Sequence, residues 1–258
     1  MSSRMDFAQP VERVSNWEAG LLRITAFPSE QVDLRTVDWW EKVTGTASEM
    51  RTVQPSVGQL TEQGTVEDYL LRLQIQFGRV DWVLLPKDDV QNEAFPLLGK
   101  FEQVSRRFRE LVSPWLTGAP RVNRLAFGAV LYVPTASLEE ATEVISKILP
   151  YVNIEWSGIR DFIFQINRPR PCRTCSEAGD INRLSKWQIV VLKKMITVLA
   201  PDASGPLTTS EQPAAYWELD INTAPPPGAQ KEITRDLLDP LLNELLENAT
   251  TIVKSDAL

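Results

Sequence analysis

Leu21–Pro28 reads LLRITAFP, and Leu125–Pro134 reads LAFGAVLYVP. Each is an aliphatic and aromatic run closed by a proline, the pattern of a strand that stops where the chain loses a backbone N–H. Each leads into a helical stripe, from about Leu34 to Val43 in the first case and from Leu138 to Leu149 in the second. Worked outward, residues 17–117 and 121–248 both parse as strand, helix, three strands, long helix. The expected fold is therefore α+β: tandem βαβββα units forming a pseudo-two-fold body of curved antiparallel sheet, with helices packed on one face. Residues 1–16 read as a flexible lead-in and 249–258 as a tail. Whether the two halves share one sheet is not readable from the pattern.

The individual elements follow from periodicity and punctuation. Asp33 is placed to cap a helix carrying Leu34, Val37 and Trp40 on one stripe, with Gly45 as its stop. Glu49–Leu60 reads as an edge strand because of Pro55 and Gly58. Tyr69–Phe77 alternates apolar and polar residues, so Tyr69, Leu71, Leu73, Ile75 and Phe77 face a core, and Gly78-Arg79 turns the chain into Val80–Leu85. Phe95–Trp115 has helical spacing. Ser137-Leu-Glu-Glu140 is a capping box. Strands are expected over Ile154–Ile166 and Leu184–Ile196 around a long loop, and Pro201–Pro213 reads as a polar loop. Tyr216–Asn222 is a strand with Trp217, Leu219 and Ile221 inward, ended by prolines 225–227. Ile233, Leu237, Leu241 and Leu245 mark a closing helix, kinked or broken at Pro240.

Composition narrows the chemistry. At 258 residues and 43% hydrophobic content the chain can bury a sizeable core. The leading residues lack an apolar signal region, and no apolar run approaches the roughly 20 residues of a membrane helix. The expected location is cytoplasmic, with no membrane contact. The absence of histidine removes His-based acid–base and nucleophile systems and most zinc sites. No phosphate-binding glycine loop, dinucleotide fingerprint or nucleophile elbow occurs. Cys172-Arg-Thr-Cys175 supplies two thiols where a zinc site needs four ligands, so no metal or cofactor is expected; its flanking arginines would lower a thiol pKa.

Charge is unevenly placed. Segment 160–194 carries eight basic residues against three acids, a local +5 on a chain of net charge −7. Arg160, Arg168, Arg170, Arg173, Arg183 and Lys186 are the candidate partner- or anion-binding residues. The alternation Arg168-Pro-Arg-Pro171 stiffens the segment and presents guanidinium groups suited to carboxylate or phosphate. A solvated tip, or pairing to the chain's own acids, is the plainer alternative. Trp39 adjoins the core-facing Trp40 off the main stripe, which makes it a candidate exposed interface aromatic; a helix–helix contact is its bland alternative. Glu218 and Asp220 share a strand face and serve either acid–base chemistry or cross-strand pairing, for instance with Lys186. The favoured function is a non-catalytic binding or adaptor subunit with a protein partner. Next come a nucleic-acid or nucleotide-ligand sensor using the same basic hairpin, a histidine-free enzyme built on Glu218, Asp220 or a thiol, and a small-molecule binder.

Three stretches carry a resemblance: Asp68-Tyr-Leu-Leu-Arg-Leu-Gln-Ile-Gln-Phe-Gly78, Pro120-Arg-Val-Asn-Arg-Leu125, and Trp217-Glu-Leu-Asp-Ile-Asn222 with the amphipathic helix after it. They resemble the first hairpin strand, the strand opening the second half, and the closing strand and helix of a sporadically distributed bacterial family of similar length and unassigned function. The loop 168–175 is not part of that pattern. The resemblance implies a duplicated αβ fold and, from the family's patchy distribution, a mobile-element or defence context. It implies no catalytic residue. The duplicated unit is also similar to saddle-shaped TATA-binding-protein-type folds, a likeness of fold alone.

Overall fold

A computed structural model describes residues 16–87, 94–197, 206–224 and 232–255. The elements in chain order are β1 (Glu18–Pro28), α1 (Trp39–Thr44), β2 (Met50–Gln54), β3 (Gln59–Val66), β4 (Tyr69–Gln76), β5 (Arg79–Pro86), β6 (Gly99–Lys100) and α2 (Phe101–Leu116). There follow β7 (Val122–Pro134), α3 (Leu138–Ile148), β8 (Ile163–Asn167), β9 (Arg170–Pro171), β10 (Asp180–Thr197), β11 (Pro206–Ala224) and α4 (Arg235–Ser255). The strands form one open sheet of order β2-β3-β4-β5-β1-β7-β11-β10-β8, with β6 on β1 and β9 on β10. All of these pairings are antiparallel. The chain is thus α+β, and the two halves meet in a single sheet through β1 and β7, in a register that sets Arg23 beside Gly128 and Ile24 beside Phe127.

The sequence explains which strands lie in the centre. Ile24–Ala26 in β1 and Leu125–Ala129 in β7 are buried without interruption, as strands flanked on both sides must be. Farther out, β4 keeps strict alternation: Leu71, Leu73 and Ile75 are buried, while Leu70, Arg72 and Gln74 are half-buried on the other face. The helices cover the apolar face and join it in one core. Two aromatic clusters hold that core. In the first half Trp82 on β5 meets Trp40 of α1 and Trp115 of α2, and Trp115 meets Trp39. In the second, Trp217 on β11 stacks on Trp187 of β10 and takes the edge of Trp17. Truncation of a tryptophan such as Trp82 to alanine costs on the order of 3–5 kcal/mol.

Several local expectations are corrected. The first helix begins at Trp39, not near Leu34, because the Asp33 carboxylate holds the Arg35 amide and guanidinium in a turn. Glu49–Leu60 is a hairpin: Pro55 opens a short 3-10 turn, and Gly58 closes it at φ 65°. Phe77 does not face the core. It sits at φ 50° beside Gly78 at φ 70°, the two left-handed positions of a tight hairpin turn, and is 83% exposed. The segment 154–162 is not strand, and the long loop is folded onto the sheet as β9 and a short 3-10 turn. Much of the expected polar loop is strand: β11 starts at Pro206 and pairs with β10 out to Thr197. The expected final helix runs unbroken through Pro240, and most of the expected tail belongs to it. The lead-in up to Ser15 and prolines 225–227 lie outside the described residues. Among the described residues no helix is long and apolar enough to cross a membrane.

Candidate anion-binding edge

The serine half of the capping box forms as read, Ser137 Oγ accepting from the Glu140 amide at 3.2 Å, while the Glu140 carboxylate reaches one residue farther back and accepts from the Ala136 amide at 2.9 Å. It starts α3 directly after β7. The β8 strand then lies along the outer side of β10, in a register pairing Asn167 with Leu184 and Phe164 with Trp187. The Arg168 amide continues that register by donating to the Arg183 carbonyl, and β9 resumes it with Arg170 beside Ile181. Alternation therefore puts Arg168, Arg170 and Arg183 on one face, the face shared with Trp187. Arg168 and Arg170 are exposed, and Arg183 is half-buried.

These three guanidinium groups lie close together on the sheet edge. None of them has an ion pair or side-chain hydrogen bond among the described residues. Arg183 Nε is buried with no acceptor. Burial, and then the like charges of Arg170 and Arg168, pull Arg183 below the usual arginine range. Three neighbouring cations, one partly desolvated, are the arrangement that carboxylates and phosphates pair with most strongly.

The other predicted residues go elsewhere. Arg173 points at α4, where its Nε donates to Glu244 at 3.2 Å and its Nη2 to Glu247 at 3.0 Å. Glu244 is 4% exposed and also accepts from the backbone amides of Arg173 and Thr174, at 2.9 and 2.8 Å. Burial alone would raise its pKa, but the bonds from Thr174 and Arg173 hold it down to about 2. Lys186 lies on the opposite sheet face and pairs with Glu218 at 3.5 Å, the cross-strand reading of that carboxylate. Glu218 also accepts from the Tyr216 hydroxyl at 3.0 Å. Asp220 accepts from Asn222, whose own oxygen takes bonds from Asn182 and from Arg124. Glu218 thus ties β11 to β10, while Asp220 is held by Asn222 of its own strand. Arg160 is exposed in the segment before β8, apart from the β8–β10 register that gathers the trio. Trp39, expected at the surface, is 7% exposed, because α2 packs against α1 and sets Trp115 edge-on to it at 5.9 Å.

The thiols also differ from expectation. Cys175 is buried, and Cys172 is half-buried with its sulfur 3.6 Å from a Glu244 oxygen. Burial, aided by the Glu244 charge, pushes the Cys172 thiol up, because the nearest arginine is turned to Glu244. Among the described residues no group of three or more acidic or cysteine side chains could hold a metal ion.

Glu244 is the residue that sequence reasoning missed. Its signal was present: it stands inside the apolar stripe of α4, next to Leu241 and Leu245, where a charge needs partners. No protein-family model matches the chain, and no curated protein matches it.

Proposed function

We propose that this protein is a non-catalytic binding subunit that recognises an acidic protein partner through the edge formed by β8, β9 and β10. One observation carries the reading: Arg168, Arg170 and Arg183 converge without an internal counter-charge on a chain whose net charge is −7. Such a chain has acids to spare, and several of its other arginines have found them, as the pairs Arg51–Glu62, Arg79–Asp81 and Arg109–Asp239 demonstrate. Leaving the exposed Arg168 and Arg170 unpaired on a stiff proline-containing edge costs little in water, and with Arg183 it favours encounter with an anionic surface. The pairing of Glu218 across strands with Lys186, the hydrogen bond that Asp220 takes from Asn222, and the raised Cys172 thiol support binding over catalysis.

The architecture belongs to the same proposal. The two halves are related by an approximate two-fold axis between β1 and β7, from duplication of one βαβββα unit. Support comes from the strand order, which runs outward as β1, β5, β4, β3 on one side and β7, β11, β10, β8 on the other. Trp82 and Trp217 occupy matching stations, each on the last long strand before a long helix. A pair of flanks with a common plan lets one edge acquire a binding role while the other keeps the fold.

The test is charge reversal of the trio, Arg168→Glu with Arg170→Glu and Arg183→Glu, assayed on immobilised polyglutamate across a salt series. The parent protein is expected to be retained and to elute progressively as salt rises, and the variant to pass through. Equal retention of both proteins overturns the proposal.

A further inference from the structure

The edge beside the arginine trio has a directional property that the charges alone do not supply. The Arg168 amide donates inward to Arg183, and the Cys172 amide donates inward to Gly179. In an antiparallel ladder the backbone groups of alternate residues point to opposite sides. Phe164, Ile166 and Arg170 therefore turn their backbone groups toward β10, as does the Arg168 N–H, while Ile163, Gln165 and Asn167 turn theirs away from the sheet; the Asn167 side chain takes the Arg183 amide. All three of those residues are exposed, Ile163 at 62%. No strand pairs with them from outside among the described residues. The next outward positions are Pro169 and Pro171, which have no N–H to offer. The open edge is thus a short row of donors and acceptors, ended by two prolines and bordered by three unpaired arginines.

Resting on the binding role proposed above, we propose that the outer edge of β8 accepts an extended acidic peptide segment as an added strand. The segment would hydrogen-bond to Ile163, Gln165 and Asn167, and its acidic end would lie against Arg168, Arg170 and Arg183. Strand addition supplies main-chain bonds that are blind to sequence, and the flanking charges supply selection. The prolines limit the register, because a guest strand sliding past Asn167 meets no further donors. The opposite edge, β2, is also exposed along its whole length, but its arginine, Arg51, is already paired with Glu62. Charge complementarity therefore singles out β8. Nucleic acid could satisfy the arginines but not the strand edge.

The experiment uses the full chain and a fluorescein-labelled peptide of alternating valine and threonine ending in glutamates. Its lysine-ended counterpart and a single-stranded deoxythymidine oligonucleotide are the comparisons, read by anisotropy, with amide hydrogen exchange followed in the bound state. The acidic peptide is expected to bind, and to slow exchange at Ile163, Gln165 and Asn167. Gln165→Pro removes an outward N–H without touching the ladder to β10, and is expected to weaken binding about tenfold, one lost backbone bond, at unchanged melting temperature. If Gln165→Pro and the parent bind alike and no amide is protected, while the triple arginine reversal still abolishes binding, strand addition is overturned and the anion-binding role stands. Undiminished binding by the arginine variant overturns that role itself. Preference for the oligonucleotide overturns the peptide as the partner class. Should Gln165→Pro fail to fold, the protection of the three amides in the parent protein decides.

Discussion

The arginines of the β2–β5 flank and those of the β8–β9 flank are the same residue type in opposite circumstances. In the first flank Arg51 reaches Glu62 at 3.0 Å, Arg79 reaches Asp81 at 2.7 Å, and Arg107 reaches Glu67. Glu62 and Asp81 are themselves nearly inaccessible, so Arg51 and Arg79 give buried carboxylates a counter-charge. In the second flank Arg168, Arg170 and Arg183 have one another for neighbours, and burial, then that company, lowers the Arg183 pKa. The difference teaches how to read charge: an arginine satisfied by the fold reports on stability, and one left without an acceptor reports on what binds. Arg173 stands between the two cases, in the second flank by sequence but tied to Glu244 like a first-flank residue.

The largest stability effect is expected where the first flank is broken. Asp81→Ala leaves the buried Thr25 hydroxyl without its acceptor and frees the half-exposed Arg79, and should cost about 2 kcal/mol in urea unfolding. A loss within about 0.5 kcal/mol would mean that pairing does not separate the flanks.

Glu244→Gln should cost about 2 kcal/mol, since it exchanges charge-assisted bonds for neutral ones and leaves the 172–175 loop less firmly held. Faster alkylation of Cys172 should accompany it. The pH dependence has a definite sign. The folded pKa of about 2 lies below the roughly 4.3 of an unfolded glutamate, so the carboxylate stabilises the fold above that upper value. Its contribution is lost as pH falls through about 4 towards 2, and the stability gap between parent and variant should close over that window. A gap that stays constant down to acid pH would show that Glu244 acts by shape and not by charge.

Arg183→Met is the sharpest comparison, because the expected sign is reversed. Removing an unpaired, half-buried guanidinium should leave stability unchanged or raise it by up to about 1 kcal/mol, while weakening retention on polyglutamate. A clear loss of stability would place Arg183 with the structural arginines. The smallest effect belongs to an exposed pair such as Lys42–Asp38, where Lys42→Ala should leave the urea unfolding midpoint unchanged.

Much of the fold was legible before any coordinates. Alternation in Tyr69–Gln76 and Tyr216–Asn222 placed their core faces correctly, and the Ser137–Glu140 box placed a helix start, because each is a local rule with a period or spacing of its own. Where local rules competed, they failed in particular ways. Asp33 was read as a helix cap, but a nearby arginine captured its carboxylate in a turn. Phe77 continued an apolar alternation, but the hairpin required left-handed backbone at that position and turned the ring to solvent. Trp39 fell off its helix's main stripe, but a second helix arrived to cover it.

The sequence by itself determined the α+β class, the strong strands, the closing helix and the basic character of 160–194. It could not determine which of those cations were free. Arg168, Arg170, Arg173 and Arg183 look alike in one dimension, since all lie in one arginine-rich stretch. Only the register of β8 on β10 brings three of them to a common face, and only the packing of α4 supplies Glu244 to the fourth. Secondary structure follows from spacing along the chain, which sequence records directly. Ion pairing follows from distances of a few ångströms between residues some seventy positions apart, such as Arg173 and Glu244, and those distances exist only once the sheet has closed its register and the last helix has docked.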